Sequence, residues 1–181
     1  MLIAKVVFLR NEERPFLKLA VIPARGGSQR IPRKNIRDFC GRPIIEYSIL
    51  AALKADCFDE IMVSTDDDEI AQVAIKAGAV VPFRRSELNS SNIASTADVL
   101  LEVLKGYQER GTFWEQICCL YPTAPFANAA MLNQGLQLLM QNNGVADTVF
   151  PIVQYGHPVQ RALKMRQGFV KMREPENRTI R

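Results

Sequence analysis

Residues 19–22, Leu-Ala-Val-Ile, open directly into Pro-Ala-Arg-Gly-Gly-Ser and then into basic residues interleaved with isoleucine and proline as far as Asn35. An unbroken apolar run is the composition of a strand buried on both faces, which belongs inside a layered α/β domain rather than on a half-exposed sheet. Whatever follows such a strand emerges at its carboxyl end. Here that is a glycine-rich, cationic loop. Glycines let the backbone turn tightly and approach a ligand closely, and successive amides in such a turn can converge on an anion. Arg25, Arg30, Arg33 and Lys34 surround those amides, so a polyphosphate is the natural guest. The spacing matches neither the phosphate loop of ATPases nor a regular GxGxxG turn.

The rest of the chain alternates in the same way. After an irregular crossing at 35–42, a helix is expected over 43–54, with Ile45, Ile49, Ala52 and Leu53 as its buried stripe. A strand at 61–64 follows, then a helix at 67–77 opened by acids that suit a positive helix end. A short strand is expected at 80–83, a polar loop at 84–94, and a helix capped by Ser95, Thr96 or Asp98 running to about residue 110. A strand at 116–120 ends in Tyr-Pro-Thr-Ala-Pro-Phe. A helix at 128–142 presenting Leu132, Leu136, Leu139 and Met140, and a strand at 148–153, complete the alternation. The tail suggests a hairpin around 162–165 and 170–172. Strands separated by helices of this length make a three-layer α/β sandwich with a mostly parallel sheet, whose ligand loops lie beyond the strands' carboxyl ends. The loops after Pro23, Ser64, Phe83 and Tyr121 then share one edge.

The 181 residues suit one domain with a real core, and 48% apolar with 23% charged residues is ordinary for a soluble globular protein. We divide the chain into an extension at 1–18, which offers an edge strand or a loose leader, and a domain at 19–181. The leader's charge order does not suit a signal peptide, and no apolar run reaches spanning length. The formal charge is +4, with six basic residues against one acid between Arg25 and Arg42, and seven against two between Arg161 and Arg181. Two clusters in a mixed background favour a phosphorylated small molecule over a nucleic-acid track, and Trp114 with most phenylalanines sits in core-like segments. Cys40, Cys57, Cys118 and Cys119 have neither ligand spacing nor a redox pair, and read as small buried residues in a reducing cytoplasm.

Few residues offer covalent chemistry. His157, the only histidine, has no partner nearby in sequence and suits a structural or substrate-contact role. The acids Asp66, Asp67, Asp68 and Glu69 point in different directions, so capping is the commoner use for most of them, with Asp66 left as a candidate contact to a hard cation. A chemistry that needs no protein nucleophile fits what remains. A substrate oxygen attacks the α-phosphorus of a nucleoside triphosphate, and the protein aligns the reactants and stabilises phosphoryl charge. Arg25 and Lys34 are placed for that work, with Arg33 in reserve and the amides of 26–28 on phosphate oxygens.

These stretches, ARGGSQRIPRKNI, VSTDDDEIA and YPTAP in this order, resemble the CMP-sialic acid synthetase and acylneuraminate cytidylyltransferase family. HPVQRAL and PFRRSELNSSNIASTADVL look closest to its pseudaminic acid branch. The resemblance covers residues 19–177. It implies a Rossmann-like nucleotide-diphospho-sugar transferase fold. It also implies transfer of CMP from CTP to a nonulosonic acid, pseudaminic acid favoured and N-acetylneuraminic acid the other candidate, with Mg2+ required and pyrophosphate released. By resemblance, Arg25 and Lys34 serve the triphosphate. Ala24, Gly26, Gly27, Ser28, Gln29, Arg33 and Asn35 line the nucleotide loop, Arg84 or Arg85 frames the cytosine end, and Ser95 or Thr96 supplies a hydroxyl. Tyr121 and Thr123 face substrate, and Gln160 and Arg161 contact the acidic sugar. Gln29 departs from the family's lysine, which leaves Arg30 to compensate. Family members normally continue through a swapped dimer arm and a late metal-binding segment. The resemblance therefore implies a C-terminally shortened domain, a homodimer where that arm is present, and a non-catalytic nucleotide- or sugar-phosphate-binding fragment as the alternative to an enzyme.

Overall fold

The computed structural model describes residues 2–5, 17–152 and 159–179. They fall into two compact units, Met1–Pro151 and Ile152–Arg181. In the first unit a five-stranded sheet has the order β5-β2-β6-β1-β7, formed by β1 (Leu2–Lys5), β2 (Lys18–Pro23), β5 (Glu60–Ser64), β6 (Gln116–Cys119) and β7 (Thr148–Val149). The strand expected from residues 19–22 is the middle of the parallel part, flanked by β5 and β6.

Residues 19–22 are all fully buried, and they divide between the two faces of the sheet with the period of two that a strand imposes. Leu19 and Val21 pack with Met62, Ile117 and Cys119 against Leu100, Val103, Tyr107 and Trp114, on the side of α4 (Thr96–Gln108). Ala20 and Ile22 pack with Val63, Cys118 and Leu120 against α1 (Ile44–Ala55), α2 (Asp68–Lys76) and α5 (Ala129–Gln141). This is the three-layer sandwich. Burial pushes the thiol of Cys118 up to about 12 and that of Cys119 up to about 11, so both stay protonated as packing residues.

Several local expectations need correction. The edge strand offered by the leader is an interior one: β1 runs antiparallel between β6 and β7. Residues 80–83 do not form a strand, because only Val80 pairs with the sheet, bridging Met62 beyond the edge of β5. The last strand of the sheet is two residues long rather than six, and Val153 lies outside the described residues. The crossing at 35–42 is ordered into a 3-10 turn at Lys34–Ile36 and a small hairpin, β3 (Asp38–Phe39) with β4 (Arg42–Pro43). Its two turn residues, Cys40 and Gly41, have φ of 53° and 88°, the left-handed pair that a two-residue hairpin demands. Cys40 is therefore exposed rather than buried.

Within the helices, Leu53 and Met140 point outward at 40% and 50% exposure, and Ala51, Ala55 and Gly135 take the buried positions. Trp114 is buried as expected, but Phe113, Phe126 and Phe150 are exposed. In the second unit the expected hairpin forms from β8 (Leu163–Arg166) and β9 (Phe169–Met172). Gln154 and His157 lie outside the described residues. Among those described, no helix is long and apolar enough to cross a membrane.

Candidate active site

The carboxyl ends of the parallel strands β2, β5 and β6 deliver three segments to one edge of the sheet, as strand polarity requires, and the segment after the Val80 bridge joins them. Backbone bonds knit them together: Ala24 N–H donates to Ser64 O at 2.9 Å, Arg85 N–H to Thr65 O at 3.0 Å, and Leu120 N–H to Val21 O at 2.9 Å. Ala24 is buried as the last residue of this floor. Beyond it the loop runs outward, with Ser28 N–H turned back to Gly26 O at 2.9 Å and open space where a side chain on Gly27 would lie. Gln29 and Arg30 are exposed on its crest.

The basic residues expected to serve a polyphosphate do converge here, and each is held differently. Arg25 lies across the segment after α3 (Glu87–Ser90), a short helix inside the expected polar loop 84–94. Its Nη1 donates to Ser91 O at 2.9 Å, Asn92 Oδ1 at 2.7 Å and Ser90 O at 3.4 Å. Glu102 of α4 anchors the same segment by accepting from Ser86 N–H at 2.7 Å and from the Asn89 amide. Arg33 forks onto Asp67, with Nη1 2.5 Å from Oδ2 and Nη2 3.1 Å from Oδ1, and also reaches Glu69. That pairing holds the Asp67 carboxyl below the usual range and raises Arg33 further. Lys34 is half-buried, and its ammonium has no hydrogen-bond or ion-pair partner among the described residues. Asn35 is buried and donates to Arg25 O at 2.9 Å, while its Oδ1 is buried without a partner.

The sequence left Arg84 and Arg85 as alternatives, and the fold separates them. Arg84 is exposed and pairs with Asp68 and with Asp67 O at 3.0 Å. Arg85 is buried, its Nε donating to Ser64 Oγ at 3.0 Å and its Nη2 to Ser64 O. Desolvation lowers its pKa, partly offset by Asp66 and Glu102. Ser95 and Thr96 separate as well. Ser95 is committed to the capping box of α4, accepting from Asp98 N–H, while Thr96 Oγ1 stands 3.1 Å from the hydroxyl of Tyr121. Thr123 is half-buried two residues on. Gln160 and Arg161 belong to the second unit, exposed on the 3-10 turn Val159–Arg161.

The acids divide along the lines that helix geometry allows. Asp67 is the N-cap of α2, accepting from Ile70 N–H at 2.9 Å, and Asp68 and Glu69 occupy the first turn. Asp66 Oδ1 accepts from Gly26 N–H at 2.9 Å, and no arginine bonds it among the described residues. No three His, Cys, Asp or Glu side chains gather into a metal cage among them. Mg2+ does not need one, since it binds through one or two carboxylates plus phosphate oxygens, and Asp66 fits that donor set. The pairing of Asp67 with Arg33 and the parts played by Ser64, Asn92 and Glu102 are not among the sequence-based expectations. The available signal was two oppositely charged stretches, 25–34 and 66–69, each following a strand and so delivered to one edge.

The cytidylyltransferase family model matches residues 19–176. The chain belongs to that family. It is 42% identical over 150 residues to the pseudaminic acid cytidylyltransferase of Campylobacter jejuni, covering 83% of this chain and 64% of that protein. It is 37% identical over 134 residues to the CMP-N,N'-diacetyllegionaminic acid synthase of Legionella pneumophila, covering 74% and 58%. Among solved structures, a CMP:2-keto-3-deoxy-manno-octonic acid synthetase complexed with CTP superposes with a TM-score of 0.60 at 25% identity, over 71% of this chain and 49% of that one. The chain thus spans less than two thirds of the length of these relatives. The fold is the Rossmann-like nucleotide-diphospho-sugar transferase type.

Proposed function

We propose that this chain carries the nucleotide-binding part of an enzyme that transfers CMP from CTP to a nonulosonic acid, with pseudaminic acid as the favoured acceptor and N-acetylneuraminic acid the other candidate. The observation that carries the reading is the loop itself: a glycine turn at the end of the buried strand, with Arg25, Arg33, Lys34, Arg84 and Arg85 around it and Lys34 unpaired among the described residues. The relatives' activities agree with it.

The chemistry follows from charge. The anomeric hydroxyl oxygen bonds to the α-phosphorus, the bond from that phosphorus to the β-phosphate oxygen breaks, pyrophosphate leaves, and the hydroxyl proton passes to water. Lys34 and Arg25 would hold the triphosphate oxygens on which charge builds, and the amides at 26–28 would fix their orientation. Buried Asn35 offers its unpartnered Oδ1 to a donor on the nucleotide. Thr96 and Tyr121, in contact with each other, would border the bound substrates, as would Thr123, and Gln160 and Arg161 remain our candidates for the acidic sugar. Mg2+ would neutralise phosphoryl charge, held by Asp66 and phosphate oxygens. We place the protein in the cytoplasm, acting as a homodimer.

Incubation with CTP, Mg2+ and pseudaminic acid should release pyrophosphate and form a CMP-sugar. Absence of product with both pseudaminic and N-acetylneuraminic acid would overturn the enzyme reading. Gln29, a neutral residue exposed on the loop's crest where the resemblance calls for lysine, favours a second reading as a non-catalytic binding fragment. Retained CTP binding without turnover would select it.

A further inference from the structure

One side chain is bonded to one end of the loop at 25–35 and packs against the other. Asp67 forks onto the Arg33 guanidinium through both carboxylate oxygens, at 2.5 and 3.1 Å. The same carboxylate lies against Gly26 so closely that a Cβ there would stand 2.6 Å from Oδ2 and 3.0 Å from the Asp67 Cβ. Its own position is set by the N-cap bond from Ile70 N–H at 2.9 Å. From this geometry we infer that Asp67 is a positioning residue for the nucleotide loop, holding both ends of it to the first turn of α2.

Three links connect the clamp to the groups that would meet a triphosphate. Arg33 sits at φ 53° and ψ 29°, a left-handed conformation that a side chain with a Cβ resists, and the bidentate pair offsets that resistance. Because Arg33 is the residue before the 3-10 turn Lys34–Ile36, fixing it fixes where that turn begins and so where the Lys34 ammonium and the Asn35 amide lie. Asn35 then returns to the start of the loop through its bond to Arg25 O. Contact of Asp67 with Gly26 closes the circuit from the other side. Glu69 also reaches Arg33, but from an exposed position and through a single oxygen, so it reinforces the clamp without setting its geometry.

As far as it concerns CTP, the inference rests on the proposed function, and one readout is independent of any ligand. Asp67→Asn keeps a good N-cap while removing the charged fork. In the ligand-free protein, hydrogen exchange of the amides at 26–35 should accelerate about tenfold in Asp67→Asn, while those of α2 stay as they are. Unchanged exchange in the loop would overturn the positioning role whether or not CTP binds. With CTP, calorimetry should show binding weakened about tenfold in Asp67→Asn and in Arg33→Gln, with the double variant no weaker than Arg33→Gln alone. Additive losses would overturn the link through Arg33. Arg33→Gln approaches the same pair without touching the cap, so a folding defect in one variant leaves the other to decide. A wild-type protein that binds no CTP would sink the proposed function and leave the exchange result to stand or fall separately.

Discussion

Arg85 and Arg84 are neighbours in the chain, yet one is buried with its guanidinium on Ser64 while the other lies exposed and pairs with Asp68. The floor, made of Ala24, Ser64, Asn35 and Arg85, is buried and hydrogen-bonded to backbone. The rim, made of Arg33, Arg84 and the acids of α2, consists of partly or fully exposed ion pairs. In the floor each polar group has given up water, so losing a partner costs the whole desolvation of what is left behind. On the rim, water and salt replace a lost partner at little cost. Stability should therefore be concentrated in the floor and ligand affinity at the rim.

The comparison breaks most easily at Arg85. Arg85→Met leaves Ser64 Oγ without its buried donor and should cost about 3 kcal/mol of stability, read from the urea midpoint; a loss within experimental error would mean the floor is not what holds this edge together. Gly26→Ala comes next. Its methyl would collide with Asp67, and we expect a loss of about 2 kcal/mol, whereas Gly27→Ala, pointing into open space, should be nearly neutral by the same assay. Equal effects at the two glycines would remove the packing contact from the account.

A smaller effect should appear in the pH profile. Arg33 depresses the Asp67 pKa in the folded state, so the stabilisation is present above the unfolded carboxyl value near 4 and is lost as pH falls through the folded value. Thermal melts between pH 5 and pH 2 should show a decline that is shallower in Asp67→Asn, with a difference of no more than about 1 kcal/mol because the Arg33 side chain is 40% exposed. The smallest change is expected for Arg84→Ala, below about 0.5 kcal/mol in stability at physiological salt. If Arg84→Ala matched Arg85→Met, the division between rim and floor would fail.

Much of the alternation of strand and helix was legible because it depends on neighbours in the chain. The run at 19–22 had the composition of a strand covered on both faces, and it is one. A helix cap was recognisable among Ser95, Thr96 and Asp98, and Ser95 takes that place in a capping box with Asp98. The cytidylyltransferase family was readable from the three long motifs and is matched over residues 19–176.

What failed were features whose cause lies across the fold. Residues 80–83 have strand composition, but only Val80 finds a free edge beside Met62. Leu53 and Met140 suit a buried stripe, yet each helix has only one neighbour-facing arc, and smaller residues fill it. The contacts of Arg25 were equally hidden, because the α3 segment whose carbonyls accept from it lies 65 residues and more along the chain.

The loop at 19–35 shows where the division falls. Periodicity and glycine content, which are local properties, determined that a buried strand would deliver a cationic turn. Only tertiary packing decided that Asp67 would pair with Arg33 while packing against Gly26, and that Arg85, rather than Arg84, would be buried on Ser64. Those outcomes depend on which strand ends share an edge and how far each helix stands from it, and pairing across dozens of residues leaves no periodic trace in the chain.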